Sequence, residues 1–117
     1  MKQIKIEKSM KSSRLKQLLE FLKEDPNDAF TLYAIATEYK STDPGKAKIY
    51  FDKLLGEHEN YIGTYYHAAK LYAAMDLRDQ AEEIFKKGIE KSLSQGNQHA
   101  HRELLSAYNE FLFEDEE

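Results

Sequence analysis

The sequence contains no cysteine, no tryptophan, two prolines and five glycines in 117 residues. Without cysteine there is no disulfide, no thiolate nucleophile and no Cys-ligated zinc, and the chain suits a reducing or an oxidising compartment equally. Long apolar runs are also missing. No stretch approaches the roughly eighteen residues that a membrane helix needs, so membrane spanning by a helix is not expected. Nor is there an excess of positive charge: 17 Lys and Arg against 21 Asp and Glu leave a formal net charge of −4. That balance argues against nucleic acid as a partner, because phosphate binding rests on clustered Lys and Arg. The opening "MKQIKIEKSMKSS" is basic but lacks the apolar core of a secretory signal, which makes a cytoplasmic address the expectation.

Catalytic signatures are absent as well. The one Gly-Lys pair, Gly45 with Lys46, has Lys40 where a phosphate-binding loop needs its first glycine. No Gly-x-Ser-x-Gly elbow, His-Glu-x-x-His or Glu-x-x-His motif occurs. The histidines are His58, His67, His99 and His101; none has another at helical ligand spacing, and His99 and His101, two apart, point to different faces of a helix. The expectation is a chain that is not an enzyme and carries no cofactor and no metal.

What is present is helical periodicity. In "RLKQLLEFLKE", Leu15, Leu18, Leu19 and Leu22 recur at the spacing of one helix face, with Lys and Glu opposite. Pro26 and Pro44 each follow an Asp, in "EDPND" and "TDPGK", and mark helix ends. Asp43 reads as an N-cap with Pro44 at the first helical position, Asp76 with Asp79 as a capping box, and Gly96 as a helix stop with Asn97 starting the next. Six helices are predicted, at about 10–25, 28–41, 44–57, 61–75, 77–93 and 97–113. The fold class is all-α.

The helices repeat. The series Leu32, Ala36, Tyr39, Ala47, Phe51, Leu54 is matched by Tyr65, Ala69, Tyr72, Ala81, Phe85, Gly88, with one residue more in the second turn. Phe21 lies eleven residues before Leu32, as Leu54 does before Tyr65, so the first helix reads as the second half of a degenerate unit. The last helix, with Leu104, Leu105 and Tyr108, reads as the first half of another. Small residues at Ala36, Ala69, Ala47 and Ala81 allow paired helices to approach closely, and the rings of Tyr39, Tyr72, Phe51 and Phe85 fill the wedges between pairs. In "TYYHAAKLY", therefore, Tyr65, Ala68, Ala69 and Tyr72 are expected to face this seam.

A unit of about 34 residues with "LYAIATEY" and "AKIYFDKLL", then "YYHAAKLY" and "AEEIFKKGI", resembles the tetratricopeptide repeat, of the short bacterial kind. The resemblance implies a right-handed superhelical array of antiparallel helix pairs: a half-repeat at 10–26, repeats at 27–60 and 61–95, and a C-terminal capping helix at 97–113. A basic tail at 1–9, expected to be disordered, and an acidic tail at 114–117 flank it. It also implies a protein-interaction module or scaffold that holds a peptide segment or helix in a concave groove. The groove positions carry a ladder of Tyr33, Tyr66 and Arg102 with Thr37, Lys70 and Ser106 beside it, and His67 and Lys40 on the same flank. Aromatics and Arg recur as interface anchors, although an exposed Tyr can equally cover neighbouring apolar stems. With Lys40, Lys70 and Arg102 as donors, the expected partner is an acidic and aromatic segment. The chaperone-tail clamp found in one subclass is not supported, since its positions carry Tyr33, Thr37, His67, His99 and Glu103.

Self-association as a structural or scaffold protein is the first alternative expectation, and an accessory protein binding a small ligand is the second. Residues 1–24 hold seven Lys or Arg against three Glu, whereas residues 110–117 hold five acids and no base. In "YNEFLF", Tyr108, Phe111 and Leu112 extend the apolar face of the last helix, which suggests a homodimer through that stripe.

Overall fold

Helix boundaries follow from local chemistry. In the computed structural model, which describes the backbone of residues 2–115 and the side chains of residues 13–114, six helices account for the architecture. They are α1 (Lys2–Glu24), α2 (Ala29–Tyr39), α3 (Pro44–Glu57), α4 (Gly63–Ala74), α5 (Arg78–Ser94) and α6 (Gln98–Asp115). The Asp28 carboxylate caps α2, accepting from the Thr31 N–H at 3.0 Å and its hydroxyl at 2.6 Å. Those bonds hold the Asp28 carboxyl below its ordinary range. Asp43 caps α3 as expected, accepting from the Lys46 N–H at 3.2 Å with Pro44 at the start. Asn97 caps α6 by accepting from the Ala100 N–H at 3.0 Å.

α1 begins at Lys2 rather than near residue 10; the side chains of 1–12 lie outside the described residues, as do Glu116 and Glu117 of the acidic tail. The Asp76 and Asp79 capping box does not form. Leu77 occupies the N-cap of α5 with no side-chain bond, and Asp76 has φ 63. Its backbone is committed to ending α4: the Asp76 N–H donates to Ala73 O at 3.1 Å and the Leu77 N–H to Tyr72 O at 2.9 Å. The same pair of bonds closes α5, from Gly96 to Leu93 O at 3.1 Å and from Asn97 to Ser92 O at 2.9 Å, with Gly96 at φ 69. This is the left-handed helix stop that glycine adopts without strain and aspartate tolerates.

Successive helices pack antiparallel as two pairs, α2 with α3 and α4 with α5, with α1 against α2 and α6 against α5 and α4. Leu32, Ala36, Ala47, Phe51 and Leu54 are fully buried, and so are Tyr65, Ala68, Ala69 and Ala81; Tyr72 and Phe85 are nearly so. The seam assignment for Tyr65, Ala68, Ala69 and Tyr72 therefore holds. Two buried tyrosines keep their hydroxyls paired: Tyr65 donates to Glu59 O at 2.5 Å, and Tyr72 donates to the Asp52 carboxylate. Burial first, then Glu59, pushes the Tyr65 hydroxyl up to about 12.

Two seam expectations need correction. Phe21 is 59% exposed, and Leu22 packs against the core instead. Counted from the helix ends Phe21 still matches Leu54, but among the described residues α1 packs against α2 alone, and the side chain it turns to the core is Leu22. The stripe on α6 is also largely covered. Phe111 is only 5% exposed, because the Arg78 guanidinium lies over its ring at 4.2 Å while Arg78 donates to Phe111 O at 3.1 Å. The Phe85 ring closes the other side, 5.4 Å between centroids, and Tyr108 and Leu112 are half-buried.

Contacts between pairs give the array its curvature. α2 touches α4 and α4 touches α6, whereas α3 and α5 do not come together. First helices that adjoin while second helices splay bend the stack toward α2, α4 and α6, which form its inner face.

Candidate binding groove

The inner face carries the rings that periodicity assigned to it. His67, on α4, is flanked by both tyrosines of the ladder: its ring centroid is 5.8 Å from that of Tyr33 on α2 and 5.3 Å from that of Tyr66. Tyr33 and Tyr66 therefore share one face, one repeat apart. Cations crown the cluster at two points. Lys40 Nζ lies 3.2 Å from His67 Nδ1, and Lys70 Nζ lies 3.3 Å from the Tyr66 hydroxyl and 5.0 Å from its ring centroid. An ammonium group can only donate, so this contact makes Nδ1 the acceptor and leaves the proton on Nε2. Burial, reinforced by the charge of Lys40, lowers the pKa of His67 and favours that neutral form; Glu103 pulls the other way.

On the α6 side, Tyr66 shares a hollow of about 360 Å³ with Arg102 and Ser106. The remaining walls are His99, Glu103, Ala107 and Glu110. His99 Nε2 is 2.7 Å from the Glu103 carboxylate, one helical turn along. Of the eight residues assigned from sequence, Tyr33, Lys40, Tyr66, His67 and Lys70 form one contact network, and Arg102 and Ser106 join it through the hollow. Thr37 contributes less: its hydroxyl donates to Ala34 O at 2.9 Å, on its own helix.

Three participants were not in the ladder. Tyr61, in the turn before α4, meets Tyr33 with ring centroids 5.4 Å apart, and together with burial it raises the Tyr33 hydroxyl pKa. Helical periodicity carries no signal for a residue in a turn. Glu103 and Glu110 put acid on the α6 wall; the i, i+4 spacing of His99 and Glu103 was the available clue. The groove thus has a cationic, aromatic side on α2 and α4 and a mixed, acid-bearing side on α6. Among the described residues no group of three His, Asp or Glu could hold a metal ion, and no helix is long and apolar enough to cross a membrane.

Helix pairs of this length, alternating small and aromatic seam residues, with first helices lining an inner face, define an all-α helical repeat protein. Comparison with solved structures narrows that class. The crystal structure of a tetratricopeptide repeat domain protein from Salinibacter ruber is 36% identical, over 72% of this chain and 94% of that one, with a TM-score of 0.68. The solution structure of the tetratricopeptide repeat domain protein from that organism gives 38%, 74%, 89% and 0.69 in the same order. This chain belongs to the tetratricopeptide repeat family. The crystal structure of MamA matches 95% of this chain and 72% of its own with a TM-score of 0.63, but at 17% identity it speaks to the fold alone. No family model and no curated protein matches the chain.

Proposed function

We propose that the chain is a non-catalytic protein-interaction module that holds a peptide segment or helix along α2, α4 and α6. The observation that carries this reading is the inner-face cluster itself: His67 bridges Tyr33 and Tyr66 while Lys40 meets His67 Nδ1 and Lys70 stands over the Tyr66 ring. Stacked rings give area to an aromatic or apolar side chain, and ammonium groups beside them give charge-assisted bonds to a carboxylate. A repeat array supplies such an extended inner surface.

The partner segment carries an aromatic anchor and acidic side chains. Its acids sit against Lys40 and Lys70, and its other end faces Glu103 and Glu110, where a basic or neutral side chain is favoured. Selection from a displayed library of short peptides tests this, followed by anisotropy titration of the recovered sequences. Acidic, aromatic sequences are expected, with affinity reduced about tenfold or more by Lys70→Glu, equivalent to roughly 1.4 kcal/mol. Affinity that rises with Lys70→Glu, or that is indifferent to Tyr66→Ala, counts against the groove.

A further inference from the structure

A second surface lies on the opposite side of the array. α1 and α3 both pack on the α2 side of the stack but, among the described residues, not on each other, and the gap between them is a groove of about 750 Å³. Leu19, Leu22 and Pro26 form its apolar lining, with Lys16, Lys23 and Lys53 at the rim. The one acid there, Glu20, is engaged by Lys23 at 3.1 Å, and Lys53 is held in place by donating to Pro26 O at 3.1 Å. The rim therefore keeps a net positive charge around an apolar floor.

The chain itself carries a segment with the complementary chemistry. Phe113, in the last turn of α6, is 70% exposed, the most exposed of the large apolar side chains among the described residues. It stands between Glu110 and Glu114, both exposed, in a stretch of five acids and no base from 110 to 117. Since Arg78 and Phe85 already cover Phe111, Phe113 is the phenylalanine of α6 left for a contact outside the protomer. We infer that the end of α6 of one copy docks in the α1/α3 groove of a second, with Phe113 on Leu19 and Leu22 and the acids on Lys16, Lys23 and Lys53. This contact shares Glu110 with the α6 side of the inner-face groove and leaves the cluster of Tyr33, His67 and Tyr66 open.

The donating and receiving surfaces differ, so each single contact leaves one groove and one α6 end free, and repeating it builds a ring or an open row of copies. That geometry sets the test. One full-length variant, Lys16→Glu with Lys23→Glu, spoils the receiving groove. Another, Phe113→Ser with Glu114→Lys, spoils the donating end. All four positions are exposed, and circular dichroism melting verifies that each variant folds. Light scattering is expected to show a wild-type mass that rises with concentration in low salt and falls toward the 13.7 kDa monomer in about 1 M salt, where the Debye length is ~3 Å. Each variant alone is expected to be monomeric, and the two mixed to form a 1:1 dimer through their intact halves. A wild-type chain that stays monomeric overturns the inference. So does a variant that associates like wild type, or a mixture that remains monomeric.

Discussion

Gly88 is a point of close approach between α5 and α4, and replacing it with alanine measures how tightly the seam is built. A Cβ there would lie 2.6 Å from Tyr65 Cβ, 3.0 Å from its Cγ and 3.2 Å from Leu104 Cδ1. Carbon atoms rest at about 3.5–4.0 Å, so roughly 1 Å must be found. Tyr65 cannot easily supply it. The side chain is fully buried, its hydroxyl is tied to Glu59 O at 2.5 Å, and the obstacle is the stem of the side chain, not a mobile tip. The helices must part, at an overpacking cost of about 1–3 kcal/mol. Alanine returns about 1 kcal/mol of helix propensity. Because both neighbours are fixed, the cost falls toward the upper end of its range, and a net loss of about 1–2 kcal/mol is expected, or roughly 4–8 °C in Tm for a chain of this size. Gly56→Ala is the control: nothing lies within 4 Å of its added Cβ, so a gain of about 0.5–1 kcal/mol is expected. Urea and thermal unfolding of both variants decide it. A Gly88→Ala protein as stable as wild type would refute the close approach of α4 and α5.

Ala69→Leu places three more carbons at a fully buried seam position and is expected to cost about 1–3 kcal/mol, read from the urea midpoint. Asp76→Gly removes a side chain from a residue at φ 63 and is expected to stabilise by about 0.5–1 kcal/mol in the same assay. His67→Gln changes the pH dependence of stability. The folded-state pKa of His67 is depressed below its ordinary 6.5, so as pH falls past about 6.5 the unfolded chain takes up a proton that the native one refuses, and stability drops until the lowered native value is reached. Above about pH 6.5 the residue contributes nothing to this slope. Wild type is therefore expected to lose more stability than His67→Gln between about pH 7 and 5. Asp28 and Glu59, whose carboxyls titrate below their ordinary 3.8 and 4.5, act at lower pH. Equal slopes for the two proteins would show that His67 is freely solvated.

Period, caps and spacing were sufficient to read the helices, because each depends on residues within a turn or two. Asp43 with Pro44, Gly96 with Asn97, and the small-and-aromatic series through Ala36, Phe51, Ala69 and Phe85 were legible for that reason. So was the inner-face ladder: residues one repeat apart on equivalent helices, such as Tyr33 and Tyr66, inherit the same orientation from the repeat. Tertiary structure decided what depends on how helices meet. With only α2 to pack against among the described residues, α1 gives its seam to Leu22 and turns Phe21 out to solvent. Asp76 could have capped α5, but its backbone was already committed to ending α4. Arg78 covers Phe111 from 33 residues away, and Lys40 reaches His67 across 27, contacts that exist only once two pairs are stacked at a particular distance and angle. Local patterns fix which face of each helix is apolar; the interhelical geometry, set by Gly88 and the seam alanines, fixes which of the remaining side chains meet.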